Sequence, residues 1–468
     1  MTLVPSLLAL SILVAAVLGL LGWVLPKVTR KPQTGGIPLA CLATLWLGIQ
    51  TGYVLYNHDP TERANAIWRE DDFFFLGLLL WNVIQIGLHW LLLAQDERRS
   101  HFASWGHPLL VLCGGMVVSG MALDHYLLIL PTGIALMALG LPLTVGGKKL
   151  HGPEALLKTF FDQRFALLFF SMAVVVGLST MHTVELAWWF KSAQAGAIPA
   201  LLALLLFATA LFTLVGITPF HMNRVDLLTG GHPVGAMVQL IGQSFMVATL
   251  CFRLARAGEL STSSVVSDQF LAGFCLFAFI LSALSAMDQR TVNRILAFLI
   301  VGNLPLLLPS LQLSSLLQEQ SPLIPSWALL ASLGLGCLLV YFVFLPLSQR
   351  SKELLTWESC SGIGLNNPFM AFVFLLGLAN LSGFPGTLGF DARVSLAQLS
   401  FEQGWVYTGW AILLSCPLQS LVVLRLASFF FYRKRTVPVK VPTPLSLQIP
   451  SLLLFALLAG SGFVYWLI

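Results

Sequence analysis

The chain has 468 residues, of which 57% are hydrophobic and only 10% are charged, and its net charge is +5. Soluble domains carry about 25% charged residues, so this composition excludes a sizeable soluble domain, and the mean hydropathy of +0.86 indicates an integral membrane protein. The seven cysteines are isolated, without metal or redox spacing, and no nucleotide-binding, haem-attachment or nucleic-acid motif occurs.

Apolar runs follow one another along the chain, and each is long enough to cross a bilayer, which takes about 20 residues. The first run precedes a basic segment and is interpreted as a retained helix, because no basic leader or clear cleavage site accompanies it. The sequence predicts an all-α polytopic protein with about 14 spans near residues 4–26, 37–57, 72–94, 106–123, 125–146, 157–181, 196–219, 232–255, 267–287, 291–310, 325–347, 367–386, 403–430 and 447–467.

The basic residues orient these spans. Loops after odd-numbered spans hold 17 lysines and arginines, including Arg224, whereas loops after even-numbered spans hold 6. Because lysine and arginine accumulate on the cytoplasmic side, both termini are predicted to face away from the cytoplasm.

Two of the predicted spans break near a proline, the seventh at Pro219 and the twelfth at Pro385. Lipid cannot satisfy the backbone groups that a break frees, so such helices imply an interior lined by protein or water. Ionisable residues follow each break: His221, Arg224 and Asp226 after the first, Asp391 and Arg393 after the second. Paired breaks in two halves are typical of a transport path.

The breaks lie five spans apart, which predicts two inverted five-helix repeats, since five is odd. We expect an N-terminal three-helix segment over residues 1–104, a first repeat (helices 4–8) over 105–256, a second (helices 9–13) over 257–430, and a C-terminal loop and helix over 431–468. A polar stripe on the third span, Trp81, Asn82, Gln85 and His89, is expected to pack against a partner subunit.

Five stretches, in order, resemble motifs of the antiporter-like membrane subunits of complex I, most of all the chain N subunits of NADH-quinone oxidoreductases. Glu154–Phe160 resembles the family's EAxxKYF, Thr218–Asp226 resembles VPFHxWxPD, His232–Ala236 resembles APxPVxA, Asp288–Phe298 resembles DxKRLLAY, and Leu381–Phe390 resembles LSLAGIPPLxGFxGK. The resemblance covers residues 105–395 and implies a proton-conducting membrane transporter scaffold.

The chain departs from this family at positions that carry protons. A family glutamate falls on Ala135, two lysines fall on Leu214 and Gln243, a histidine falls on Asn303, and a further lysine falls on Arg393. Buried lysine can release its proton, but alanine, leucine and glutamine hold none and arginine stays charged. The family's proton path is therefore expected to be cut in at least three places.

The candidate proton-path residues are Glu154, Lys158, His221, Asp226, Gln243, Asn303, Asp391 and Arg393. Glu154 and Lys158 stand four apart and can pair on one helix face, and Asp162 could extend their network. Each candidate also has a structural interpretation: a surface loop for Asp391 and Arg393, a helix-end contact for His221, interhelical hydrogen bonds for Gln243 and Asn303. Arg393 needs compensation by Asp391 or by carbonyls at the break.

The resemblance implies a membrane-arm subunit of a complex I-like NADH:quinone oxidoreductase that couples electron transfer to proton translocation, with a degraded or altered path. The alternatives are a non-pumping scaffold in a related respiratory or hydrogenase complex, or the ion-translocating partner of a cation antiporter or inorganic-carbon uptake complex. The chain is expected to carry no cofactor or redox chemistry, with flavin, iron-sulfur clusters and quinone in partner subunits. Expected partners are other hydrophobic membrane-arm subunits, including further antiporter-like chains, and lipid, in a bacterial inner membrane.

Overall fold

A computed structural model describes residues 4–29, 36–56, 63–64, 69–94, 100–123, 125–145, 152–183, 186–256, 268–310, 323–350 and 362–432. The helices of these ranges are α1 (Val4–Thr29), α2 (Gly36–Tyr56), α3 (Asp72–Ala94), α4 (Ser100–Ala122), α5 (Ile129–Val145), α6 (Gly152–Met181), α7 (Leu186–Gln194), α8 (Ile198–Val215), α9 (Met222–Gly230), α10 (Pro233–Arg256), α11 (Asp268–Asp288), α12 (Val292–Val301), α13 (Leu323–Arg350), α14 (Ile363–Asn366), α15 (Pro368–Ser382), α16 (Leu388–Glu402) and α17 (Val406–Tyr432).

The predicted all-α, multi-span fold is confirmed. In the described ranges ten helices are long and apolar enough to cross a membrane, and shorter apolar helices cover Leu7–Leu21, Ile37–Tyr53 and Pro368–Ser382. Helices dominate because a helix satisfies its own backbone hydrogen bonds, which lipid cannot do. The span predicted near 447–467 lies outside the described residues, and the total of 14 and the side of the termini stay predictions.

Two helices form the centre of the molecule. Every residue of α10 from Pro233 to Arg253 is buried, and α13 is almost as completely enclosed. By contrast, α6 and α11 each keep apolar side chains exposed along their length, among them Phe165, Val175 and Phe277. Apolar residues at the periphery are what lipid or a neighbouring membrane subunit requires, so hydrophobicity alone does not distinguish the core from the outer surface.

The N-terminal helices α1, α2 and α3 all pack against α4, and α2 also packs against α3. The polar stripe of α3 faces this interior, so the expectation of a partner-subunit contact is wrong. Asn82 Nδ2 donates to Thr51 Oγ1 at 3.0 Å, and Gln85 Nε2 donates to the Leu110 carbonyl at 3.1 Å. These side chains are buried because polar groups in an apolar bundle join neighbouring helices.

A short antiparallel pairing of β1 (Arg63–Ala64) with β2 (Arg69–Glu70) precedes α3 and places Arg63 opposite Glu70. The next residue, Asp71, forms a buried ion pair with Arg253 near the end of α10, 2.8 Å from Oδ2 to Nε. Arg253 Nη1 also donates to the Leu123 carbonyl at 2.8 Å. One arginine therefore fastens the start of α3 and the end of α4 to the central helix.

Candidate functional site at the two helix breaks

The first break lies between α8 and α9. Helix α8 ends at Val215, and Gly216 takes a left-handed conformation with φ of 85°. The Gly216 N–H donates to the Phe212 carbonyl at 2.8 Å, and the Ile217 N–H donates to the same carbonyl at 2.9 Å. Glycine adopts this conformation without steric cost, so the chain can leave the helix here before α9 begins at Met222.

Arg224 of α9 folds back onto this break and is fully buried. Its Nη2 donates to the Leu214 carbonyl and, at 2.9 Å, to Oε1 of Gln243 on α10. Gln243 Nε2 in turn donates to the Gly133 carbonyl of α5 at 3.3 Å. The last carbonyls of a helix carry partial negative charge, so the guanidinium compensates the carbonyl end that the break exposes.

The second break lies between α15 and α16. Helix α15 ends at Ser382, Gly383 is left-handed with φ of 70°, and its successor Phe384 donates its N–H to the Ala379 carbonyl at 2.8 Å. Helix α16 begins at Leu388. Asn380 braces this turn, since its Oδ1 accepts the Gly389 N–H at 3.0 Å and its Nδ2 donates to the Ser332 carbonyl of α13 at 2.7 Å.

Arg393 of α16 occupies the second break and is 1% exposed. Its Nη2 donates to the Leu381 carbonyl and to Gln419 Oε1, each at 2.8 Å, and to Asn303 Oδ1. Its Nη1 donates to the Ser382 carbonyl. Backbone carbonyls, one of the two predicted means of compensation, therefore hold Arg393. The side-chain amides of Asn303 and Gln419 add to them.

Asp391 lies in the first turn of α16 and is 4% exposed. The interpretation of Asp391 and Arg393 as a charged surface loop is therefore wrong. A carboxylate is favourable in the first turn because the helix N-terminus carries partial positive charge. Sequence pattern does not reveal this burial, since both charges closely follow a glycine- and proline-containing break, where an exposed turn is equally compatible with the sequence.

His221 immediately precedes α9 and is buried, although it follows a break. Its ring packs edge-on against Phe298 of α12, with ring centroids 6.1 Å apart. Residues 218–226 and 288–298, which the predicted repeats assign to different halves of the chain, therefore meet at this point. An imidazole can titrate near neutral pH, and this one lies where α9 meets α12.

Glu154, Lys158 and Asp226 form one cluster with Arg294. Lys158 Nζ lies 2.9 Å from Glu154 Oε1 and 2.8 Å from Asp226 Oδ2, and Arg294 Nη2 lies 3.3 Å from Asp226 Oδ1. The cluster joins α6, α9 and α12, and its lysine and arginine side chains are roughly half exposed. Three of the motif stretches thus converge at one partly solvated end of the bundle.

Asp162 is buried one turn further along α6 than Lys158 and attracts Arg224 electrostatically. Leu214, at a position where the resemblance implies a lysine, is buried and lies against Gly133, so an apolar side chain occupies this position.

Sequence reasoning misses Gln419 and does not assign a role to Arg224. Gln419 is fully buried, and its Nε2 donates to the Gly302 carbonyl at 3.2 Å. The available signal is a repeated order of left-handed glycine, arginine and glutamine: Gly216, Arg224 and Gln243, then Gly383, Arg393 and Gln419. The spacing differs between the two sets, so only the hydrogen bonds reveal the match. Within the described ranges no group of three or more histidine, cysteine, aspartate or glutamate residues could hold a metal ion.

Comparison with known proteins agrees with this geometry. The family model described as NADH:quinone oxidoreductase/Mrp antiporter, TM matches residues 122–417. The subunit N of NADH-quinone oxidoreductase from Cytophaga hutchinsonii is 24% identical over 400 residues, 84% of this chain and 80% of that protein.

Two solved structures share the fold. A chain of the Mrp complex from Dietzia sp. DQ12-45-1b has a TM-score of 0.76 and 16% identity, covering 100% of this chain and 96% of that one. A chain of respiratory complex I from Thermus thermophilus with bound aureothin has a TM-score of 0.75 and 20% identity, covering 97% and 96%.

Proposed function

We propose, from the premise that this chain belongs to the NADH:quinone oxidoreductase/Mrp antiporter membrane family, that it is a membrane-arm subunit of a complex I-like NADH:quinone oxidoreductase. In that role it takes part in coupling electron transfer to proton translocation. The observation that carries the assignment is the similarity to subunit N along 84% of the chain. The bacterial source of this relative favours the bacterial plasma membrane as the location of the complex.

The two breaks support an altered proton path. Relay of a proton needs groups that gain and lose it, whereas the polar contacts at the breaks come from guanidinium, amide and carbonyl groups. The titratable candidates lie to the side: His221 at the contact between the halves, Asp391 at the start of α16, and the ion cluster of Glu154, Lys158 and Asp226. A path through this chain would use these groups.

A non-pumping scaffold is the second candidate, and the buried Leu214 against Gly133 favours it, because an apolar contact fills a position where the family has a lysine. Both candidates place flavin, iron-sulfur clusters and quinone in partner subunits and leave this chain without redox chemistry. Both also keep two five-helix repeats, over residues 105–256 and 257–430, as the proposed division of the chain, with segments 1–104 and 431–468 outside them.

Purification of the complex through a tag on this chain tests the assignment. We expect the tagged complex to oxidise NADH and reduce quinone, with other hydrophobic membrane-arm subunits and hydrophilic iron-sulfur and flavin subunits present. Membranes from a strain lacking the chain should lose that coupled activity. A complex that exchanges sodium for protons without any redox subunit would contradict the proposal and indicate a cation antiporter instead.

The ratio of protons moved to electrons transferred separates pumping from scaffolding. In the reconstituted complex, His221→Gln and Asp391→Asn should lower this ratio if protons pass through the chain, because neither replacement can carry a proton charge. The matched control is His182→Gln, since His182 is exposed in the turn after α6. An unchanged ratio in both variants, with full electron transfer, would reject pumping through these residues and leave the scaffold role.

A further inference from the structure

Two hydrogen bonds of each buried arginine, both made through Nη2, correspond between the first and the second break. Each arginine comes from the helix after a break and donates through Nη2 to the carbonyl two residues before the left-handed glycine, Leu214 before Gly216 and Leu381 before Gly383. Each Nη2 also donates to a glutamine Oε1, at 2.9 Å for Gln243 and 2.8 Å for Gln419.

The match extends one layer further. Each glutamine lies on the long helix that follows, and its Nε2 donates to a glycine carbonyl, Gly133 at 3.3 Å and Gly302 at 3.2 Å. At each break, the carbonyl end of the broken helix, the arginine, the glutamine and a glycine carbonyl elsewhere in the bundle are thus joined by hydrogen bonds in the same order. Because the same atoms are bonded in the same order at both breaks, we treat the two sets as equivalent parts of the fold.

Both guanidiniums are incompletely satisfied. Nε and Nη1 of Arg224 and Nε of Arg393 are buried without a hydrogen-bond acceptor among the described residues. A buried charge with missing partners favours loss of that charge wherever the group can release a proton. Arginine cannot do so, because its guanidinium stays protonated in proteins.

We propose that Arg224–Gln243 and Arg393–Gln419 are two equivalent clamps that hold the helix breaks and place a permanent, non-titrating positive charge at the centre of each half. The charge persists because arginine cannot deprotonate, not because the site binds any cation well. No proton is stored on either clamp during turnover. By itself, a guanidinium disfavours a second cation within about 4 Å about a thousandfold at an effective dielectric constant of about 20. The carboxylate of Asp162, which faces Arg224, reduces this barrier at the first break, so conduction straight through a break is disfavoured most at Arg393.

The glutamines provide the first test, on the full chain purified in detergent. Gln243→Met and Gln419→Met remove the amide at similar volume and leave each guanidinium without this partner, so each should lower the thermal midpoint by about 3 °C or more. The matched control is Gln239→Met, one turn earlier on α10, because Gln239 is fully buried and neither of its amide atoms has a partner in the described ranges. This control should leave the midpoint unchanged or raise it. If Gln239→Met and Gln243→Met lower the thermal midpoint equally, the proposed Arg224–Gln243 clamp is wrong. If Gln419→Met leaves the midpoint unchanged, the proposed Arg393–Gln419 clamp is wrong.

Substitution of the arginines provides the second test. It measures how the thermal midpoint depends on pH, which a merely structural role of the arginines would not change. Arg224→Lys and Arg393→Lys replace a permanent charge with an ammonium that, when buried, can release its proton between about pH 6 and about pH 10. The titratable groups facing these positions are Asp162 of α6 at Arg224 and Cys416 of α17 at Arg393. Asp162 favours the charged ammonium, so the pH dependence should be steeper for Arg393→Lys than for Arg224→Lys. The unfolded chain then holds more protons than the folded chain, so the stability of each variant rises with pH relative to the unsubstituted chain. We expect a deficit in thermal midpoint that is largest at the acidic end of this range and shrinks toward the alkaline end.

Arg425→Lys is the control for this series, because Arg425 is half-buried and donates to the Met287 carbonyl away from both breaks. Its effect should not change with pH. If the loss in thermal midpoint of Arg224→Lys and Arg393→Lys is as independent of pH as that of Arg425→Lys, the two sites accept any cation and the proposal is wrong. These stability measurements do not depend on partners, so a failure to find redox subunits would refute the proposed function and leave the clamps untouched.

Discussion

At the residue scale, two arginines lie in the apolar interior of a membrane protein, at 0% and 1% exposure. An isolated charge there would be costly. The helix breaks make it tolerable, because the carbonyl groups at the ends of α8 and α15 accept hydrogen bonds from the guanidiniums and carry partial negative charge. The break and the arginine are therefore one unit: the arginine compensates the freed carbonyls, and the carbonyls compensate the charge.

The left-handed glycines test this unit directly. A Cβ on Gly216 would collide with Arg224 Cγ, and one on Gly383 would collide with Arg393 Nη1. Gly216→Ala and Gly383→Ala should therefore cost more in unfolding free energy than the about 1–2 kcal/mol of the left-handed conformation itself. Thermal unfolding of the purified chain measures this cost.

Gly386→Ala is the matched control, since Gly386 has φ of 84° but no atom within 4 Å of the place that a Cβ would take. It should show only the conformational cost. If all three variants lose equal stability, the close approach of the arginines to the breaks does not contribute.

At the element scale, the central helix α10 is fastened at two points of its buried stretch. Near its middle, Gln243 receives the Arg224 guanidinium, and near its end Arg253 bonds Asp71 and the Leu123 carbonyl. The side chains of the Arg253–Asp71 pair are 5% and 2% exposed. Removing one member of such a pair leaves an uncompensated buried charge, which is the costly case.

Arg253→Met should therefore destabilise the chain by about 3–5 kcal/mol. Asp71 before α3 loses its cation, and the Arg69 carbonyl of β2 loses the hydrogen bond that it accepts from Arg253 Nη2 at 2.8 Å. The comparison variant is Asp226→Asn, which removes the acid that pairs with both Lys158 and Arg294 in the partly exposed cluster. Solvent screens that cluster, so its loss should change thermal stability little. Equal losses in the two variants would contradict the assignment of Arg253 as the main fastening of α3.

At the scale of the whole molecule, polar groups are inside and apolar groups cover much of the outside. Helix α6 presents exposed Phe161, Leu168 and Val175, while Asp162 is buried behind it. This arrangement is stable only where the surroundings are lipid or another membrane subunit. It also explains why hydropathy does not separate the ionisable candidates into interior and surface groups.

The orientation of the molecule in the membrane is tested by reporter fusions. The excess of lysine and arginine in alternate loops predicts that a fusion after Gln194, at the end of α7, lies outside the cytoplasm. A fusion after Gln289, following α11, should lie in the cytoplasm. Alkaline phosphatase should therefore be active only in the first and green fluorescent protein only in the second; the reverse pattern would invert the predicted topology.

The burial of Arg224 corrects the charge count behind this prediction. The sequence places Arg224 among the cations of a loop after an odd-numbered span, but its side chain is buried in the first break. The loops after odd-numbered spans still hold most of the basic residues, so the predicted orientation keeps its support.

The sequence by itself determined the fold class, most of the span positions in the described ranges, both helix breaks and the family motifs, because these depend on local apolar runs, glycine and proline. Only the tertiary structure decided which charges are buried. It placed Arg393 against carbonyls, turned the α3 stripe inward and joined Arg224 to Gln243 and Arg393 to Gln419. The local composition of a span does not specify which residues its polar side chains contact. Those contacts depend on the rotation of each helix about its axis and on residues that lie far apart in the chain.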